Sequence, residues 1–133
     1  MAGKSFADIS ILVVEDGTFS RNVLSRVLDV LGPGRVKHAL NGEQALGLLA
    51  EADAPFDIVI TDVMMPGMDG FDLVERIRWG EAPGHEAVPV IVLTGKEPVK
   101  NAERARKFDI AAFLVKPPRP EELRAAIEQA LDL

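Results

Sequence analysis

Short apolar runs alternate along the whole chain with segments whose apolar residues recur at helical spacing. The runs predict strands over 9–14, 36–40, 57–61, 88–93 and 110–115. The first, third and fourth are nearly unbroken apolar stretches, as expected of parallel strands covered on both faces. Pro89 falls near the start of the fourth, where a strand tolerates a missing N–H. Between the runs, Phe19, Val23, Val27 and Leu31 recur every four residues and predict the inner face of a first helix, stopped by Gly32. Asn41 with Gln44 predicts a capped start for a helix over 43–52. Asp69 predicts the cap of a third helix carrying Phe71, Val74 and Ile77. Pro98 suits the first turn of a fourth helix running to Lys107. Pro120 does the same for a last helix, with Leu123, Ile127, Ala130 and Leu131 on its inner face. Pro66-Gly67 fits a type II turn, and 80–87 reads as a polar loop. Five strands alternating with five helices predict one doubly wound α/β domain with a parallel sheet, spanning 1–133.

Composition narrows the function. The chain has 133 residues, no cysteine and a net charge of −6. Disulfides and thiolate metal sites are excluded. The negative charge argues against broad nucleic-acid binding, which requires a basic patch. Lys100, Arg104, Arg106 and Lys107 are interleaved with Glu103 and read as a solvated helix face. No apolar run approaches the roughly 20 residues of a membrane span, and residues 1–10 lack the apolar core of a secretory signal. The expectation is a cytoplasmic protein with no membrane or nucleic-acid partner. His38 and His85 have no partner at ligand spacing, and Trp79 reads as a packing or surface residue.

In open α/β sheets, sites form outside the carboxyl ends of the strands. Those ends here carry Glu15-Asp16, Asp62, Thr94-Gly95 and Lys116-Pro117. Three carboxylates brought together repel one another unless some stay protonated or a cation intervenes. Mg²⁺ fits that need, since it takes oxygen ligands from a few carboxylates and a phosphate. A lysine then offers a compact charge, and a threonine hydroxyl a donor, to phosphate oxygens. Such a set neutralises charge on a transferring phosphoryl group, and the group left to act as nucleophile is a carboxylate.

Read together, the motifs Leu12-Val13-Val14-Glu15-Asp16, Asp57 to Gly70 (DIVITDVMMPGMDG), Val88 to Gly95 (VPVIVLTG) and Lys116-Pro117 resemble the CheY-like receiver family of two-component signalling. The resemblance covers about residues 8–132. It implies a flavodoxin-like (βα)5 sheet of order 2-1-3-4-5. It implies Asp62 as phosphoacceptor, and Mg²⁺ held by Glu15, Asp16, Asp62 and the backbone carbonyl of Met64. It implies Thr94 as the switch hydroxyl that turns toward the phosphoryl group, Lys116 as the lysine that pairs with that group, Phe113 as a rotating aromatic switch, and a cis bond between Lys116 and Pro117. Gly17 and Pro118 depart from the commonest pattern, in the first loop and beside the lysine respectively.

The implied partners are a sensor histidine kinase or histidine phosphotransfer protein upstream, and a protein effector on the face made by the fourth helix, fifth strand and fifth helix. The chain would be a monomer or a weak phosphorylation-dependent homodimer. It would accept a phosphoryl group and slowly lose it, rather than turn over an external substrate. Met64 and Lys96 should flank the approach of water. The start at Met1 favours a stand-alone regulator over an excised piece. A haloacid-dehalogenase-type hydrolase would need a proton-transferring aspartate where Met64 stands. A flavodoxin-like cofactor binder would need a phosphate loop where Glu15-Asp16 stand. A pseudo-receiver that acts without phosphorylation usually lacks part of the acidic set or the lysine.

Overall fold

The computed structural model describes residues 5–95 and 106–133. Among them five parallel strands, β1 (Ser10–Val14), β2 (Arg35–Ala39), β3 (Ile58–Asp62), β4 (Val90–Thr94) and β5 (Ala112–Val115), form one sheet. Its order is β2-β1-β3-β4-β5, the flavodoxin-like order expected. The described helices are α1 (Thr18–Leu31), α2 (Gly42–Ala50), α3 (Gly70–Arg78) and α4 (Pro120–Leu131). Of the helix expected over 98–107, only Arg106 and Lys107 lie within the described residues.

Strand alternation sorts the apolar residues into two layers. Leu12, Val14, Val59, Val90 and Val92 face Ala45, Leu49, Leu73, Val74 and Ile77 of α2 and α3. Ile11, Val13, Ile58, Ile60, Ile91 and Leu93 face Leu24, Leu28, Leu123 and Ile127 of α1 and α4. Burying each such side chain contributes about 1.5–3 kcal/mol, so a sheet apolar on both faces is held between two helical layers. Strand ends shift by one or two residues from expectation. β4 starts after Pro89 rather than at residue 88, and β3 runs through Asp62, which pairs in register with Leu93. The acceptor candidate is thus part of the ladder and inherits its rigidity.

Helix ends follow local chemistry. Gly32 takes a left-handed conformation (φ 71°) and its N–H bonds Leu28 O at 2.9 Å. Asn41 Oδ1 accepts the Gln44 N–H at 2.8 Å, while Gln44 Oε1 accepts the Leu40 N–H at 2.6 Å. Asp69 and Asp72 form a reciprocal capping box at 2.8 and 3.1 Å. The left-handed Gly67 (φ 78°) suits the turn expected at Pro66-Gly67.

Two expectations need correction. Phe19 is 82% exposed, and the buried stripe of α1 is Leu24 and Leu28, with Val27 and Leu31 packed beside them. A strict four-residue repeat overshoots each turn by about 40°, so a row seated on the sheet at Leu31 has swung outward at Phe19. The loop over 80–87 is not wholly polar, since Ala82 and His85 are buried. His85 Nε2 accepts the Phe56 N–H at 3.0 Å, so the ring is a neutral core group, and burial holds its pKa below the ordinary histidine value.

Arg78, at the end of α3, escaped the sequence reading. Its guanidinium donates to Phe108 O (2.9 Å), Glu86 O (2.9 Å), Val88 O (2.8 Å) and Asp109 O (3.2 Å). One side chain therefore ties α3 to the segments entering β4 and β5. Arg78→Met keeps the aliphatic stem and removes these donors. Bonds to a charged donor contribute more than neutral ones, and water can reach part of this site, so a net loss of about 2 kcal/mol is expected. Urea unfolding of the two proteins checks it; an unchanged midpoint would remove the clasp from the account.

Candidate functional site

Parallel pairing brings the strand ends level. Val14 lies opposite Thr61 across β1 and β3, Asp62 opposite Leu93 across β3 and β4, and Thr94 opposite Val115 across β4 and β5. The residue after each end, or the end itself, carries the candidate chemistry. Glu15 and Asp16 leave β1, Asp62 ends β3, Thr94 ends β4 and Lys116 follows β5. β1 runs on into α1 on one face of the sheet and its neighbour β3 into α3 on the other, so the strand order reverses between them and opens a crevice there.

The carboxylates of Glu15, Asp16 and Asp62 place one oxygen each within 4.8 Å of the others. Glu15 and Asp62 are buried, at 3% and 5% exposure, and Asp16 is exposed. Lys116 Nζ reaches into the cluster, donating to Asp62 Oδ2 at 2.9 Å and Glu15 Oε2 at 3.4 Å. Glu15 Oε1 accepts the Gly17 N–H at 3.1 Å, so the glycine tightens the first loop through its backbone. Burial pushes the Glu15 carboxyl above its ordinary pKa; the Gly17 N–H opposes this, the Asp62 charge adds to it, and Lys116 offsets part. Burial also works against charge on Lys116, but the hydrogen bond and charge of Asp62, with Glu15 behind them, outweigh it and hold the lysine pKa above the ordinary value.

The Thr94 hydroxyl is buried without a hydrogen-bond partner among the described residues. A polar atom in that state costs free energy unless a further group reaches it. Asp62 Oδ1 likewise takes no hydrogen bond among the described residues. An all-oxygen donor set, one exposed carboxylate and an unspent hydroxyl suit a hard divalent cation with an oxyanion beside it.

Phe113 is half-buried in β5, its ring centroid 6.0 Å from that of Phe71. Met64 is 77% exposed, two residues beyond Asp62. The bond between Lys116 and Pro117 is cis, and Pro118 is buried beside it. Lys96 lies outside the described residues. His38 stands apart on β2, and burial, with Arg21 nearby, lowers its pKa. Gly70 closes the motif that begins at Asp57, and its role is set by space. A Cβ there would collide with Asp62 O and stand 3.1 Å from Val63 Cα, and its N–H bonds Val63 O at 2.9 Å. Only glycine lets α3 start this close to the acceptor strand.

Comparison with known proteins agrees with this geometry. A family model for the response regulator receiver domain matches residues 11–128. The chain is 30% identical over 125 residues to the chemotaxis protein CheY-3 of Vibrio cholerae, covering 94% of this chain and 93% of that one. It is 33% identical over 133 residues to the cyclic di-GMP phosphodiesterase response regulator RpfG of Xanthomonas campestris, covering 98% of this chain but only 34% of that protein. It therefore spans about a third of that relative's length. The solved structure of Vibrio cholerae CheY4 superposes with a TM-score of 0.81 at 30% identity, over 94% of this chain and all of that one.

The raised Glu15 pKa carries a sign. In the window between the ordinary glutamate value of 4.5 and the higher folded value, the folded state binds the extra proton. Stability from this group is present below that window and is lost as pH rises through it. Without divalent cations, Glu15→Gln should match the wild type at pH 4 and melt higher at pH 7. Millimolar Mg²⁺ should reverse the order at pH 7, because it stabilises only the protein that retains its ligands. Thermal melts at the two pH values check both statements. A variant less stable than wild type at pH 7 without cations would overturn the first.

Proposed function

Since the chain belongs to the response regulator receiver domain family, we propose that it is the phosphoacceptor of a two-component relay. It takes a phosphoryl group onto Asp62 from the phosphohistidine of a sensor kinase or phosphotransfer protein. The observation that carries this reading is Lys116 Nζ, 2.9 Å from Asp62 Oδ2, inside a cluster of three carboxylates. The step is an in-line displacement. A carboxylate oxygen of Asp62 bonds to phosphorus, the P–N bond to the imidazole breaks, and the imidazole nitrogen leaves with the electron pair.

Glu15, Asp16, Asp62 and the Met64 carbonyl would hold Mg²⁺. When bound, Mg²⁺ supplies positive charge that offsets the carboxylates and the phosphoryl oxygens. Lys116 exchanges its bond to Asp62 for one to a phosphoryl oxygen, and the Thr94 hydroxyl turns to another. The space Thr94 leaves is taken by Phe113, which biases the face that carries β5 and α4 toward a downstream protein; the fourth helix expected on that face lies outside the described residues except for Arg106 and Lys107. Neither the thioether of Met64 nor a charged Lys96 orients an attacking water, so the phosphoryl group is lost slowly. The chain acts as an acceptor rather than a turnover enzyme, as a cytoplasmic monomer or weak phosphorylation-dependent dimer. Among the described residues, no helix is long and apolar enough to cross a membrane.

Incubation with a small-molecule acyl phosphate and Mg²⁺ should label the wild type and not Asp62→Asn. Lys116→Met should label about a hundredfold more slowly, the scale on which one preorganised charge-stabilising donor acts. Labelling of Asp62→Asn at the wild-type rate would sink the assignment, and an unlabelled wild type would favour the pseudo-receiver reading. Beryllium fluoride should shift backbone NMR signals around Phe113 as well as around Asp62. Shifts confined to Asp62 would remove the long-range switch.

A further inference from the structure

A concavity of about 620 Å³ lies between the start of α2 and the outer face of α3, reaching the turn at Pro66 and Gly67. None of Glu15, Asp16, Asp62, Thr94, Phe113 or Lys116 lines it. Asp72, Glu75, Arg76 and Trp79 all do, and their spacing of i, i+3, i+4, i+7 makes them one stripe of α3. That stripe lies opposite the buried Phe71, Val74 and Ile77, so sheet packing does not account for it.

We propose that this groove is a docking site for an arginine-bearing peptide segment of a partner protein. Three carboxylates, Glu43, Asp72 and Glu75, line it against the single guanidinium of Arg76. That guanidinium is already shared between Glu43 at 3.4 Å and Glu81 at 3.8 Å. Glu75 has no ion-pair partner among the described residues. One turn further along α3 stands Trp79, 70% exposed, a large aromatic surface left in water. A carboxylate and an indole face one helical turn apart suit a guanidinium, which pairs with the first and stacks on the second. Exposed tryptophan at the end of such a groove is the residue type that most often anchors a protein interface.

The lining also selects among occupants. Nucleic acid and anionic lipid are repelled by the carboxylates. A second copy of this chain carries the same net charge of −6, and its own groove is lined by the same carboxylates. A basic segment is attracted, and it would rest on the Pro66-Gly67 turn, which leads out of the strand bearing Asp62. The proposal stands apart from phosphoryl acceptance and holds whether or not Asp62 is labelled.

Trp79 is the only tryptophan in the chain, so its emission reports directly on the groove. Titration with hexa-arginine at low salt should change that emission saturably, and hexaglutamate should not. Glu75→Gln should weaken binding about fivefold, the upper range for one exposed ion pair. Glu121→Gln, an exposed charge on α4, should leave it within about twofold, as surface charges far from a site act weakly. Calorimetry on Trp79→Ala should show a similar weakening from the lost aromatic face. Absence of a saturable change would overturn the proposal. Equal weakening by the two glutamine variants would also overturn it, by revealing diffuse charge attraction. So would an emission change with anionic vesicles, or with protein concentration alone.

Discussion

Three carboxylates held at one edge of a sheet repel one another, and most of this molecule can be read as the means of keeping them together. Glu15, Asp16 and Asp62 sit within 4.8 Å by their nearest oxygens, and two of the three are buried. Burial already pushes Glu15 toward its neutral form. Lys116 is the internal counter-charge, and it arrives from β5, two strands away from Asp62 in the sheet and 54 residues later in the chain. Coulomb attraction over about 3 Å in a partly desolvated site is strong enough to hold the lysine charged against its own burial.

That arrangement needs a rigid base, which the two apolar layers provide. Asp62 is the last rung of β3 and cannot move without disturbing its pairing with β4. Gly70 lets α3 press against the same strand end, and Arg78 fixes the far end of α3 to the segments that lead into β4 and β5. One short helix thus links the acceptor strand to both strands that supply Thr94 and Lys116. The unspent groups, the Thr94 hydroxyl and Asp62 Oδ1, lie on this scaffold rather than on loops. Groups carried on strands keep their positions relative to one another more closely than groups on loops.

The outer stripe of α3 belongs to the same helix but to a different face. Its inner residues are fixed by packing, while Asp72, Glu75, Arg76 and Trp79 line the groove on the opposite side. A partner seated there would touch the turn between the acceptor strand and α3. The carboxylate cluster and the groove are therefore linked through one helix while chemically distinct, the first holding a lysine and a buried hydroxyl and the second an exposed indole.

Much of this was legible in the sequence. The apolar runs marked the strands, Gly32 and Asp69 marked helix ends, and the polar residues closing the runs marked Glu15, Asp16, Asp62, Thr94 and Lys116 as a set. These features depend on neighbours a few residues apart, which is the range over which backbone propensity and side-chain alternation act. The errors also have local causes. A four-residue repeat placed Phe19 on the inner face of α1, although the turn of 3.6 residues carries it into solvent. What only the tertiary structure decided was which distant groups meet. His85 against Phe56, Arg78 on four carbonyls, and the close approach at Gly70 join residues whose separation along the chain carries no periodic signal. The alternation of the chain determines that the candidate groups end their strands. Their distances, and the charge balance that follows, are set only when the sheet closes its order around them, because Coulomb energy depends on separation in space and not along the sequence.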